Sequence, residues 1–152
     1  MPRKPSAKHK VVSQKPVTYR LDDQVGFILR QVSQRHSAIF SSAIGSGLTT
    51  TQWAALSKLA EAGPRSQNQL GRLTAMDVAT IKGVIDRLSA RGLTETGPDP
   101  LDGRRLLVSL TRAGQALIER TAPIALKVTD ETLAPLKVKE RETFLTLLAK
   151  LR

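Results

Sequence analysis

The sequence predicts a mainly α-helical domain carrying one small β-hairpin. Three observations lead there. Apolar residues recur at i, i+3, i+4 and i+7 over most of residues 21–152. Helix-start signals stand at Thr49 with Gln52, Ser66 with Gln69, Asp77 and Thr111. Residues 93–110 change to a period of two around a turn-rich centre.

Taken in order, residues 1–17 hold Pro2, Pro5 and Pro16 among Lys and Ser, without periodicity. They are expected to form a flexible basic arm ahead of one domain at 18–152. From Leu21 a long first helix is expected. Val25, Ile28, Leu29, Val32, His36, Ile39, Phe40, Ala43 and Ile44 share one face, and Gly45-Ser46-Gly47 ends it. A second helix starts at Thr49, buries Trp53, Leu56 and Leu59, and stops at Gly63-Pro64. Ser66 opens a short third helix with Leu70 and Leu73 inward, and Thr74-Ala75-Met76 turns the chain. Asp77 caps a fourth helix, with Val78, Ile81, Val84, Ile85 and Leu88 expected inward and Gly92 past its end.

The hairpin is read as a strand at 93–96, a loop at 97–103 and a returning strand at 105–110. Thr111 caps the next helix, which Pro123 is expected to kink or divide. After Pro135 a last helix carries Val138, Phe144, Leu145, Leu147, Leu148 and Leu151.

Composition narrows the function. The chain has 24 Lys and Arg against 13 Asp and Glu, a net charge of +11. Residues 1–20 carry Arg3, Lys4, Lys8, Lys10, Lys15 and Arg20 and no acid, and residues 65–112 carry eight bases against five acids. Such a balance points to a polyanionic partner. The absence of Cys excludes disulfides, cysteine zinc sites and thiol switching. With His9 and His36 alone, no histidine metal centre and no cofactor are expected. No phosphate-cradling Gly-rich loop appears, and His36 has no acid–base partner in sequence, so no enzyme is expected. No apolar run approaches the ~18 residues of a membrane span, and no secretory signal is read. A cytoplasmic protein is the expectation.

Short helix, turn, helix and basic-tipped hairpin follow one another in the order of a winged helix-turn-helix. The DNA-binding lobe is expected at about 49–111 and dimerisation helices at about 20–45 and 112–152. On the fourth helix the side opposite the apolar stripe carries Thr80, Lys82 and Arg87, with Gly83 between them. Thr, Lys and Arg match base edges and phosphates. Gly83 costs the helix about 1 kcal/mol against Ala; close approach to DNA and tight helix packing explain it equally well. Ser66, Gln67 and Asn68 start the third helix, where free amides suit a phosphate. At the hairpin tip, Asp102, Arg104 and Arg105 suit a minor groove, with Asp102 pairing one arginine and leaving the other free. The plainer reading of these residues is a solvated face and a solvated turn.

The sequence Asp86-Arg87-Leu88, Arg91-Gly92-Leu93, Asp99-Pro100-Leu101-Asp102-Gly103-Arg104-Arg105, Leu110-Thr111 and Gly114 resembles the MarR family of bacterial transcriptional regulators over about residues 20–152. The resemblance implies a homodimer of winged-helix protomers on double-stranded DNA at a pseudo-palindromic operator, usually released by a small aromatic acid. It places Thr80, Lys82, Gly83 and Arg87 on the recognition helix and Asp102, Arg104 and Arg105 on the wing. Gly83 departs from the larger side chain many members carry.

The first helix and the last two carry more apolar surface than one copy readily covers, which also points to a homodimer. Arg20, His36, Phe40 and Trp53 are the candidate effector residues. Two aromatic walls, an imidazole and a guanidinium suit a planar aromatic carboxylate; the plainer reading is core packing. The stretch Leu21-Asp22-Asp23-Gln24-Val25-Gly26-Phe27-Ile28-Leu29-Arg30 with Gln34-Arg35-His36 is similar to family members that control nicotinate breakdown, which implies a hydroxylated pyridine carboxylate. The alternative is an architectural protein that binds DNA without regard to sequence.

Overall fold

Side-chain caps at Thr49, Ser66, Asp77 and Thr111 decide where four helices of this chain begin. The computed structural model describes residues 18–152; the basic arm expected at 1–17 lies outside them. The first long helix, α1, spans Val25–Ile44, and α2 spans Thr50–Ala62. At α2 the Thr49 hydroxyl accepts the Gln52 N–H at 3.2 Å and Gln52 Oε1 accepts the Thr49 N–H at 3.1 Å. The helix α3, Gln67–Leu73, carries the same reciprocal pair between Ser66 and Gln69. The helix α4, Val78–Ala90, starts where the Thr80 N–H donates to Asp77 Oδ1 at 2.7 Å.

The strands are β1, Thr94–Asp99, and β2, Asp102–Leu110, paired antiparallel. Helices α5, Arg112–Thr132, and α6, Val138–Ala149, complete the chain. Leu56, Leu70, Ile81, Val84 and Leu88 are fully enclosed where α2, α3 and α4 meet, each contributing roughly 1.5–3 kcal/mol of burial. Phe40 and Ile44 of α1 and Leu117 and Val128 of α5 join the same core. Among the described residues no helix is long and apolar enough to cross a membrane, and no His, Asp and Glu cluster could hold a metal ion.

Four expectations change. The first helix does not begin at Leu21: Leu21–Asp23 form a separate 3₁₀ turn, and α1 starts after Gln24, whose backbone is extended. Gln24 Nε2 donates to the Arg20 carbonyl at 2.8 Å and holds the turn closed. Pro123 does not divide α5, which runs through it; the one carbonyl that loses its partner stands on an exposed face. The loop expected at 97–103 is mostly strand, with Gly97 opposite Leu107 and Pro98 opposite Leu106. An edge strand tolerates Pro98 because nothing pairs on its other side. Finally, Val78 is 66% exposed instead of inward, because the inward row of α4 starts one turn later at Ile81.

Two glycines set how closely elements pack. A Cβ on Gly71 would sit 3.1 Å from the Met76 carbonyl oxygen and 3.2 Å from Ile81 Cγ2, so α3 meets α4 through a bare backbone. A Cβ on Gly114 would collide with the Leu93 carbonyl oxygen, which accepts the Thr111 N–H at 3.1 Å. The Thr111 hydroxyl donates to the Gly92 carbonyl at 2.6 Å. The base of the hairpin is thereby tied to the first turn of α5.

Candidate nucleic-acid interface

The α4 helix shows two faces. Its buried row is wholly aliphatic, and Thr80, Lys82 and Arg87 are exposed opposite it. Lys82 Nζ pairs with Asp86 Oδ2 at 2.7 Å, an exposed i, i+4 bridge that contributes little to stability and leaves Lys82 donors for a ligand. Gly83 decides between the two explanations of its cost. No neighbouring element packs there; the nearest group to an added Cβ is Arg87 Nη2, at 3.7 Å. Tight packing within the chain is therefore not the reason for this glycine, and open space toward an outside partner remains.

At the head of α4, Val78 and Ala79 are exposed beside Thr80. Sequence periodicity assigned Val78 to the core and so missed it as a surface residue; its place directly after the Asp77 cap is the signal that it lies outside the buried row. Asp77 itself is exposed. The Thr80 N–H donated to it holds its carboxyl below the usual carboxylate range.

On α3, the Ser66 hydroxyl is spent on the cap, accepting from the Gln69 N–H and donating to Gln69 Oε1 at 3.0 Å. Gln67 is half-buried and Asn68 exposed. Arg65, which sequence reading left unassigned, exchanges two backbone bonds with Val108 of β2, at 3.1 and 2.8 Å. The start of α3 is thus pinned to the hairpin.

The wing departs from expectation in a useful way. Between the pairs Pro98 with Leu106 and Asp99 with Asp102, β1 advances one residue and β2 four. Gly103, Arg104 and Arg105 consequently stand outside the ladder in a bulge, all exposed. Asp102 does not pair a guanidinium: its Oδ1 accepts the Arg104 backbone N–H at 3.1 Å. A short side chain two residues before that amide closes the local turn more readily than it reaches a mobile guanidinium. No ion pair among the described residues involves Arg104 or Arg105.

The four candidate effector residues do not share a cavity in one chain. Phe40 is 2% exposed, and its ring packs on Trp53 with centroids 6.4 Å apart. Trp53 lines a cavity of about 460 Å³ between α2 and α5, with Ser57, Glu61, Ile118 and Leu126. His36 lines a different one of about 350 Å³ between α1, α5 and α6, with Thr132, Phe144 and Leu148. Arg20 lines neither and lies 3.8 Å from Asp23. The reason is spacing: His36 and Phe40 are one helical turn apart, but only Phe40 turns inward. The Thr132 hydroxyl donates to the Val128 carbonyl at 2.7 Å, so His36 Nδ1 donates to Thr132 Oγ1 at 2.9 Å. In the neutral ring that leaves Nε2 as an acceptor.

A short helix crossing a second helix with an exposed polar face, beside a hairpin with unpaired arginines at its tip, defines a winged helix-turn-helix DNA-binding protein. The MarR family profile matches residues 46–105. The HTH-type transcriptional repressor NicR of Pseudomonas putida is 41% identical over 134 residues, covering 88% of this chain and 85% of that protein. The chain belongs to the MarR family and is a transcriptional regulator. A crystal structure of a probable transcriptional regulator from Pseudomonas aeruginosa is 59% identical with a TM-score of 0.82, covering 88% of this chain and 100% of that one. The structure of Bordetella bronchiseptica BpsR, described for regulation of its DNA binding by 6-hydroxynicotinic acid, is 41% identical with a TM-score of 0.81, covering 88% and 96%.

Proposed function

We infer that this regulator acts in the cytoplasm as a homodimeric repressor on a pseudo-palindromic operator and leaves it when a small aromatic carboxylate binds. The observation that carries the dimer is an uncovered apolar face. Val25, Ile28, Leu29 and Val32 of α1 and Val138, Leu145, Leu147 and Leu148 of α6 are all exposed, and α6 buries no residue in the single chain. A second copy related by a two-fold axis covers such a face and sets two α4 helices about 34–36 Å apart, one turn of DNA. In this arrangement residues 49–111 read DNA, while 20–45 and 112–152 hold the dimer.

The effector proposed is a hydroxylated pyridine carboxylate, by likeness to BpsR. Arg20, His36, Phe40 and Trp53 remain its proposed residues, with His36 and Trp53 acting from separate cavities on either side of α5 and Phe40 as backing for Trp53. The His36 cavity adjoins the uncovered face through Leu29, Leu145 and Leu148. A ligand there changes how two copies meet, and so the pitch of the α4 pair, without touching DNA. It acts only to the extent that it prefers the non-binding geometry.

The test is duplex selection from a randomised pool. Selected duplexes should bind at least ~10³-fold tighter than random DNA, and 6-hydroxynicotinate should reverse that binding. A ratio near one makes the protein an architectural DNA binder. Selective binding that no aromatic carboxylate reverses removes the effector and leaves the regulator.

A further inference from the structure

A shallow notch on α3 lies outside the reading residues of α4 and the wing. It is lined by Arg65, Gln69, Arg72 and Leu73 and encloses about 200 Å³. Most of its donors are uncommitted. No ion pair among the described residues involves Arg65 or Arg72. One Arg65 N–H goes to the Pro64 carbonyl at 2.7 Å, which orients the guanidinium and leaves its other donors. Gln69 accepts through Oε1 in the Ser66 cap, so its Nε2 hydrogens are unspent. No carboxylate lines the notch. Asp77 borders the adjoining notch with Arg72 and Val78, and its carboxylate accepts the Thr80 N–H.

We propose that Arg65, Gln69 and Arg72 form a cradle for one DNA backbone phosphate beside the groove that α4 enters. This rests on the DNA-binding reading above and adds residues to it. The placement supports it from both sides. Arg72 borders the notch at the head of α4 as well as this one. Arg65 is held by its two backbone bonds to Val108 of the wing strand. A phosphate seated here is therefore fixed relative to both reading elements. Two guanidiniums and an amide are donor-only toward a phosphate, which matches an anion with acceptor oxygens and carries no base information.

The test is the salt dependence of DNA binding by the full-length protein, using a duplex selected by the wild type and a random duplex. Arg65→Gln and Arg72→Gln should each reduce the slope of log K against log salt by about 1, with equal loss on both duplexes. Arg72→Lys should keep the slope. Arg30→Gln, on α1, removes the same charge elsewhere and should leave it unchanged. Melting curves matching the wild type show that each variant is folded. An unaltered slope in both Gln variants, an equal drop in Arg30→Gln, or a loss confined to the selected duplex overturns the cradle while the DNA-binding reading stands. A wild-type protein that binds neither duplex overturns both.

Discussion

Gly83 and Arg87 stand one helical turn apart on α4, and Arg87 Nη2 is the nearest group to the missing Gly83 side chain, 3.7 Å from where its Cβ would be. That distance is ordinary van der Waals contact. Gly83→Ala should therefore stabilise the fold by about 1 kcal/mol, roughly 2–4 °C in Tm, and still weaken binding to the selected duplex. Calorimetry and a binding titration check the two halves. Undiminished affinity would show that DNA does not come close at this position.

Gly114→Ala should do the reverse. Its Cβ meets the Leu93 backbone, which cannot move without loosening the Thr111 hydrogen bond at the base of the wing. Overpacking of this kind costs about 1–3 kcal/mol. Urea denaturation should show a lower midpoint, and a wild-type midpoint would mean that α5 does not press on the Leu93 backbone.

Arg104→Ala and Arg105→Ala should weaken duplex binding while shifting stability by less than ~0.5 kcal/mol. Both side chains are exposed, outside the ladder and without an acidic partner among the described residues. Binding titrations on each variant check this. Wild-type affinity in both would remove the wing from DNA binding.

The α4 cap should be acid-sensitive. Asp77 has its folded pKa held below the ordinary 3.8 by the Thr80 N–H, so its contribution is complete above that value and is lost as pH falls through the folded pKa. Asp77→Asn keeps a capping oxygen but does not titrate. Below about pH 3.8 the wild type should lose stability that the variant keeps, measured by denaturation at stepped pH. Parallel curves would place the acid sensitivity elsewhere.

The helix-turn-helix was legible in sequence because its signals are local. Each of Thr49, Ser66, Asp77 and Thr111 caps the helix its spacing marks, and each cap involves residues three apart. The wing was legible as a hairpin but not in its register, since a bulge is decided by how β2 meets β1 and not by composition. Val78 failed for a related reason: helical periodicity cannot say where an inward row begins. The Arg65 bridge to Val108 joins residues far apart in the chain and left no local signature. The expected effector cleft required Arg20, His36 and Trp53 to converge. Sequence order places His36 and Phe40 on one stripe but does not say that α5 separates the cavities of His36 and Trp53.

In the proposed dimer, two copies meet through α1, α5 and α6 and hold two α4 helices at one DNA pitch. Sedimentation of the protein with one selected duplex tests it most directly. A dimer of the 16.6 kDa chain is expected in the free protein, and two chains per duplex in the complex. A single chain at micromolar concentration, alone and on the duplex, would contradict it.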